Sequence, residues 1–227
     1  RLLNGDALST WFDFSPSLAG TNWNMVYKCA SNNYTREVNV RWCGQNTYVA
    51  DISPSNALII NPAYGINTTI ELGTRFTFGA NKLPFGHIEA GRYRIFNDVP
   101  SGFSFVSNVI YPEWFGASAD STATATRTAN SAALNACLEL QSLGTIYENS
   151  YAIEDTIIPI DGGNQVYFIN DNLAIDLSAK VYDWGVRLCN IVLISNASTG
   201  SVLTVTKASL LLDNAKIQGT GAANLVT

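Results

Sequence analysis

Six carboxylates in the second half of the chain, Glu154, Asp155, Asp171, Asp176, Asp183 and Asp213, are the residues best suited to acid or base chemistry. Hydrolysis of a glycosidic bond needs two carboxyl groups on one face, at a separation that decides between retention and inversion. Lyase chemistry needs instead a base near the acidic sugar proton and a cation to stabilise the developing charge. No local motif holds any two of the six together, so each taken singly reads as a solvated turn residue. The stretch "KVYDWGVRL" sets Tyr182, Asp183 and Trp184 side by side. Two aromatic faces around a carboxylate suit contact with a sugar ring, and the ordinary alternative is a turn whose Trp packs on a neighbouring strand or subunit. The single histidine, His87, precedes "IEAG" and reads as structural.

Metal and redox chemistry have little to work with. Cys29, Cys43, Cys137 and Cys189 are widely spaced and form no CxxC pair, so neither a metal site nor a cofactor is expected. A bridge between Cys29 and Cys43 across a hairpin is one arrangement, and free buried thiols are the commoner one. The sequons at Asn33, Asn67 and Asn196 match what so Asn- and Thr-rich a chain gives by chance.

These residues need elements to position them, and composition narrows the choice. Only 14% of the 227 residues are charged while 47% are hydrophobic, which excludes a disordered chain and argues against a helical bundle. Residues 1–110 carry eight Lys/Arg against seven Asp/Glu, and residues 111–227 carry five against eleven, so the net charge of −5 sits in the second half. No basic stripe is present for a phosphate backbone, so nucleic acid is not an expected partner. No run approaches eighteen apolar residues, so no membrane-spanning helix is expected. The opening "RLLNGDALST" lacks the pattern of a signal peptide, although a chain beginning at Arg1 is open to earlier processing.

Three segments are expected. In residues 1–52, "NWNMVYKCA" and "REVNVRWCG" alternate like half-buried strands around a hairpin connection "SNNYT", which reads as a small β module for attachment or assembly, or as an ordinary N-terminal cap. Residues 53–110 break into short apolar runs stopped by Gly, Asn or Pro, a β cap region of winding or meandering sheet. Residues 111–227 open with "YPEWFGA", continue through one amphipathic helix over 128–143, and then return to strands. Thr128 or Asn130 is the expected N-cap of that helix and Gly144 its terminator.

Four strand-like runs after the helix each end in asparagine, at Asn149, Asn170, Asn196 and Asn214. A recurrence of about 22 residues is what one coil of a stacked parallel β structure needs. Asn suits its corner, because it tolerates positive φ and its side chain can hydrogen-bond the next Asn in the stack.

The succession "HIEAGRYRIFND", "VIYPEWFGA", a polar run, one helix, "GTIYENSYAIEDTIIP" and repeated strands resembles the start of the pectate-lyase-like right-handed β-helix proteins, phage tailspikes and tail-associated depolymerases in particular. The resemblance covers about residues 58–215 and implies an all-β fold: the first coils of a right-handed parallel β-helix with one capping α-helix. It implies that Trp114 and Phe115 seal the end of the apolar column as a structural cap, with the helix lying over it. One departure is "SADSTATATRTANSA", which lacks the acids that cap the helix in that family. The chain stops after three or four coils, so further chain is expected beyond Thr227 and any active site is expected outside residues 1–227. The implied function is a tailspike or tail-fibre protein of the virion. On that reading it is a homotrimer, attached to tail or baseplate proteins through residues 1–52, that recognises host surface polysaccharide. A secreted polysaccharide lyase or glycoside hydrolase of the same fold is the alternative.

Overall fold

The computed structural model describes residues 11–14, 38–42, 47–49, 66–78, 87–100, 109–142, 157–178, 185–197, 199–219 and 224–226. The chain divides into two compact units, Arg1–Ser107 and Asn108–Thr227. The described residues are mostly strands in parallel sheets, with one α-helix.

The first unit holds β1 (Trp11–Phe14), β2 (Val38–Trp42), β3 (Thr47–Val49), β4 (Ile66–Ile70), β5 (Arg75–Thr77) and β6 (His87–Ala90). One sheet has the order β1-β2-β4-β6 and another pairs β3 with β5, so from β2 to β6 successive strands alternate between the two. Every pair is parallel. A parallel pair cannot be closed by a tight hairpin, so the chain must cross over before it returns, and the crossovers from β2 to β4 and from β4 to β6 each contribute a strand to the other sheet. The returns from Val38 to Ile66 and from Thr47 to Arg75 are equal in length, and the next, from Asn67 to His87, is shorter. An isolated bridge from Phe76 to Phe96 repeats the shorter step. The four-stranded sheet thus runs across residue 52, the limit expected for a separate N-terminal module. The expected hairpin at residues 31–35 lies outside the described residues, as do Cys29 and Cys43.

Large apolar side chains hold this unit. Phe76, Phe78 and Phe96 are fully buried, with Phe76 stacked on Phe78 at 6.2 Å and Phe96 meeting Phe78 edge-on at 5.4 Å. Polar groups tie successive windings. The Tyr93 hydroxyl donates to the Ile70 carbonyl, and Asp98 Oδ1 accepts the Phe78 N–H at 2.7 Å.

The second unit holds a 3-10 turn (Pro112–Phe115), α1 (Thr124–Ser142), β7 (Ile160–Ile169), β8 (Leu173–Asp176), β9 (Gly185–Ser195), β10 (Ser201–Thr206), β11 (Ser209–Gly219) and β12 (Asn224–Val226). Its strands again alternate, into the parallel sheets β7-β9-β11 and β8-β10-β12. The chain returns from Ile160 to Leu188 and from Leu188 to Leu212 in one sheet, and from Leu173 to Leu203 in the other. Like residues therefore stack: Ile110, Ile160, Leu188 and Leu212 occupy one column. Ile160 and Leu188 are buried, whereas Leu212 on the outermost strand is 47% exposed.

The opening motif builds a joint. Pro112 fits the first position of the turn, where its missing N–H costs nothing, and Gly116 ends it at φ 95°, which an L side chain rarely adopts. The Gly116 and Ala117 N–H groups then donate back to Glu113 and Pro112. Trp114 is buried at 1% exposure, edge-on to Tyr111 at 5.3 Å, and Phe115 is half-buried. Glu113, also buried, accepts the Tyr167 hydroxyl at 2.6 Å.

Helix α1 starts four residues before the expected position. Thr128 and Asn130 sit inside it rather than at its cap: Thr128 Oγ1 bonds back to the Thr124 carbonyl, and Asn130 serves another purpose. The edge strand β7 exposes a row of backbone groups that would otherwise template further pairing. Ile110 exchanges backbone bonds with residues 159 and 161, and the Asp120 N–H reaches the Val166 carbonyl. Asn130 donates to the Phe168 carbonyl at 3.0 Å. Ser131 Oγ accepts the Asn170 and Asp171 N–H groups at 3.1 Å, and Asn135 accepts that of Ala174, on edge strand β8. The helix's apolar residues Leu134, Cys137, Leu138 and Leu140 are buried beside this polar row. No helix among the described residues is long and apolar enough to cross a membrane.

Candidate functional site

Strands β7, β9 and β11 each bend at an asparagine in the left-handed region, Asn164 at φ 63°, Asn190 at 48° and Asn214 at 52°, and in β7 the preceding Gly163 shares that conformation at φ 63°. A single left-handed residue shifts the inward alternation by one. In β9, Val186 and Leu188 point inward before the bend, and Ile191, Leu193 and Ser195 after it. Asn is the L residue that bears this conformation at least cost. The three bends stack, with Asn214 Nδ2 donating to Asn190 Oδ1 and Asn164 Oδ1 at 2.9 Å each.

Asparagine stacking was expected, and the register is different. Asn214 aligns with Asn190 and Asn164, not with Asn170 and Asn196, which share another position at the ends of β7 and β9. Asn149 lies outside the described residues. The segments align as "IDGGNQVYFIN", "LCNIVLISN" and "LDNAKIQGT", so the informative signal was a pair of asparagines six apart, present in the first two and half-kept in the third. Two extra residues, Gly162 and Gly163, had obscured it. Gly162 is required there, since an added Cβ would lie 2.6 Å from Ile191 and 2.9 Å from the Asn190 carbonyl oxygen.

Just before the bend the register aligns Asp161, Cys189 and Asp213 in one row, the neighbours of the Ile160–Leu188–Leu212 column. Neighbouring strands are about 4.8 Å apart, so two rungs set the Asp161 and Asp213 backbones roughly 9.6 Å apart. Asp213 pairs with Arg187 at 3.3 Å, and this pair is well exposed at 64% and 37%. Asp161 Oδ1 accepts the Gly163 N–H at 2.8 Å and the Asn190 amide at 3.4 Å. The hydrogen bond that Arg187 donates to Asp213 raises the guanidinium above its ordinary value. Burial raises the Cys189 thiol, and Asp213 and Asp161 reinforce the rise while Arg187 opposes it. Cys189 therefore stays a thiol and a weak nucleophile at neutral pH. The row offers carboxylate acceptors, amide groups and one guanidinium, a set that hydrogen-bonds vicinal hydroxyls. Among the described residues no three His, Cys, Asp or Glu side chains come together closely enough to hold a metal ion.

Of the sequence candidates, Tyr182, Asp183, Trp184, Glu154 and Asp155 lie outside the described residues. Asp171 and Asp176 are exposed and stand apart from the row, and Asp176 is held below the ordinary carboxylate range chiefly by hydrogen bonds from Ser178. Only Asp213 enters the row, and its companion Asp161 was not among the candidates. His87 lies on β6. Cys137 and Cys189 are free and buried. No family model, curated protein or solved structure matches the chain.

Proposed function

We propose that this chain forms a right-handed parallel β-helix and belongs to a bacteriophage tailspike or tail-fibre protein that engages host surface polysaccharide. The observation that carries the reading is the alternation of successive parallel strands between two sheets, each return being about as long as one solenoid repeat. Such winding stacks equivalent residues into long outward rows, and a row of polar side chains at a fixed spacing suits a linear glycan. The "YPEWFGA" joint, on which the likeness to tailspikes rests, supports the same reading. In this proposal the protein is a homotrimer of the virion tail, held there through its N-terminal part, and the Asp161–Asn164–Asn190–Asp213 face contacts sugar.

One observation favours a second reading, a secreted glycoside hydrolase of the same fold. Asp161 and Asp213 lie on one row two rungs apart, and paired carboxylates on one face are what inverting hydrolysis requires. Molar mass by light scattering, followed by viscosity of acidic and neutral bacterial capsule polysaccharides, separates the two. A trimer that binds or thins a capsule polysaccharide is the expected result. A monomer overturns the tailspike reading, and a monomer that thins the polysaccharide through Asp161 and Asp213 establishes the second.

A further inference from the structure

Arg187 is the guanidinium beside the Asp161–Cys189–Asp213 row, and it is already taken. It lies two residues before Cys189 on β9, and its Nη2 pairs with Asp213 Oδ2 on β11 at 3.3 Å. Both side chains are well exposed, so the pair stands on the surface that a ligand meets. Asp161, in the same row two rungs away, accepts from the Gly163 N–H and the Asn190 amide. Lys216 is exposed beyond the corner on β11, a single positive charge against the two carboxylates. Residues 108–227 carry five Lys/Arg against eleven Asp/Glu, so the wider field of this unit is negative as well.

A sugar carboxylate that sought the guanidinium would have to displace Asp213 from it, and would then sit among like charges. A sugar hydroxyl meets no such obstacle, because it can donate to a carboxylate and accept from an amide in one contact. The other half of the face is apolar. Past the corner Val166 and Val192 form the next outward row, both half-buried. A pyranose carries hydroxyls at its rim and C–H groups on its faces, and a polar row beside an apolar one suits both. We propose that the Asp161–Asn164–Asn190–Asp213 face selects an uncharged glycan, and that Asp213 sets this selectivity by occupying Arg187. What bars an acidic sugar is the carboxylate that stays behind rather than the strength of the pair, since an exposed ion pair is weak. The inference rests on the polysaccharide reading above and gives it a substrate class.

The test uses the full chain, its Asp213→Asn and Asp213→Asn/Arg187→Gln variants, and Glu139→Gln, which removes the same charge from an exposed position on α1. Probes at low salt are neutral bacterial capsule polysaccharides and uronic-acid-containing ones. The expected result is that the parent binds a neutral polysaccharide and holds the acidic ones roughly tenfold more weakly. Asp213→Asn keeps the shape of an exposed side chain and releases Arg187, so binding of acidic polysaccharide strengthens roughly tenfold. That gain disappears in the double variant and is absent from Glu139→Gln. A parent that prefers an acidic polysaccharide overturns the inference and leaves the polysaccharide reading intact. No gain in Asp213→Asn, or a gain that survives in the double variant or is matched by Glu139→Gln, overturns the role given to Asp213. A parent that binds no polysaccharide of either kind overturns the inference together with that reading.

Discussion

Both units alternate parallel strands between two sheets and stabilise that arrangement by different chemistry. The first is packed on Phe76, Phe78 and Phe96, and its windings are tied by single long-range bonds such as Tyr93 to Ile70. The second stacks aliphatic columns, turns each rung on a left-handed Asn, and closes the outer edges of β7 and β8 with a helix. The difference teaches that one parallel register can be held by different corners and different edge contacts. Returns are unequal in both units, from Val38 to Ile66 and then Asn67 to His87 in the first, and from Ile160 to Leu188 and then to Leu212 in the second. In the second unit the stacked asparagines keep the corner in line even though β7 carries Gly162 and Gly163 there and β9 and β11 do not.

The largest expected effect comes from removing the joint of the second unit. Trp114→Ala leaves a cavity beside Tyr111 and costs about 3–5 kcal/mol. Hydrogen exchange then rises through α1 and β7 while β4 to β6 keep their protection. Phe96→Ala is the counterpart, with faster exchange confined to the first unit. Loss of protection in both units from either substitution breaks the distinction drawn between them.

A smaller effect separates the two corner mechanisms. Asn190→Ala loses the stacked hydrogen bond and places an ordinary L residue in the left-handed region, at about 1–2 kcal/mol. Asn190→Gly loses the bond alone and keeps the bend at lower strain. Urea unfolding that ranks Gly above Ala sharpens the account, and equal values for the two overturn the role given to positive φ.

The smallest effect lies with Asp176, an exposed residue of the second unit. Hydrogen bonds from Ser178 lower its folded value below that of the unfolded chain. A depressed carboxylate contributes stability above its unfolded value, near about 3.9, and the contribution is lost as pH falls through the folded one. Asp176→Asn therefore flattens the dependence of stability on pH in that acidic window and leaves the neutral range nearly unchanged. A variant with the parent's acid slope refutes the Ser178 bonding.

Parts of this were legible beforehand. The "YPEWFGA" stretch stood out because Pro, two aromatics and Gly-Ala suit a short turn ended by positive φ. The helix was visible from its apolar spacing, but its start was misplaced. Thr128 and Asn130 look like caps in one dimension, whereas Asn130 is buried and bonds to Ser118 and Phe168. Asp161 went unnoticed because "DGGN" reads as a turn, and nothing local ties it to Cys189 and Asp213, which follow one and two windings later.

What the sequence determined by itself was the local grammar: short β-branched runs, Asn and Gly where the backbone must turn left-handed, and a Pro-Trp-Phe-Gly joint. These follow from steric and hydrogen-bonding preferences that act within a few residues. Only the tertiary structure decided which asparagines stack, which carboxylates share a row, and which strand edges the helix covers. Those are matters of register between segments a whole winding or more apart, set by the summed fit of apolar columns rather than by any one residue.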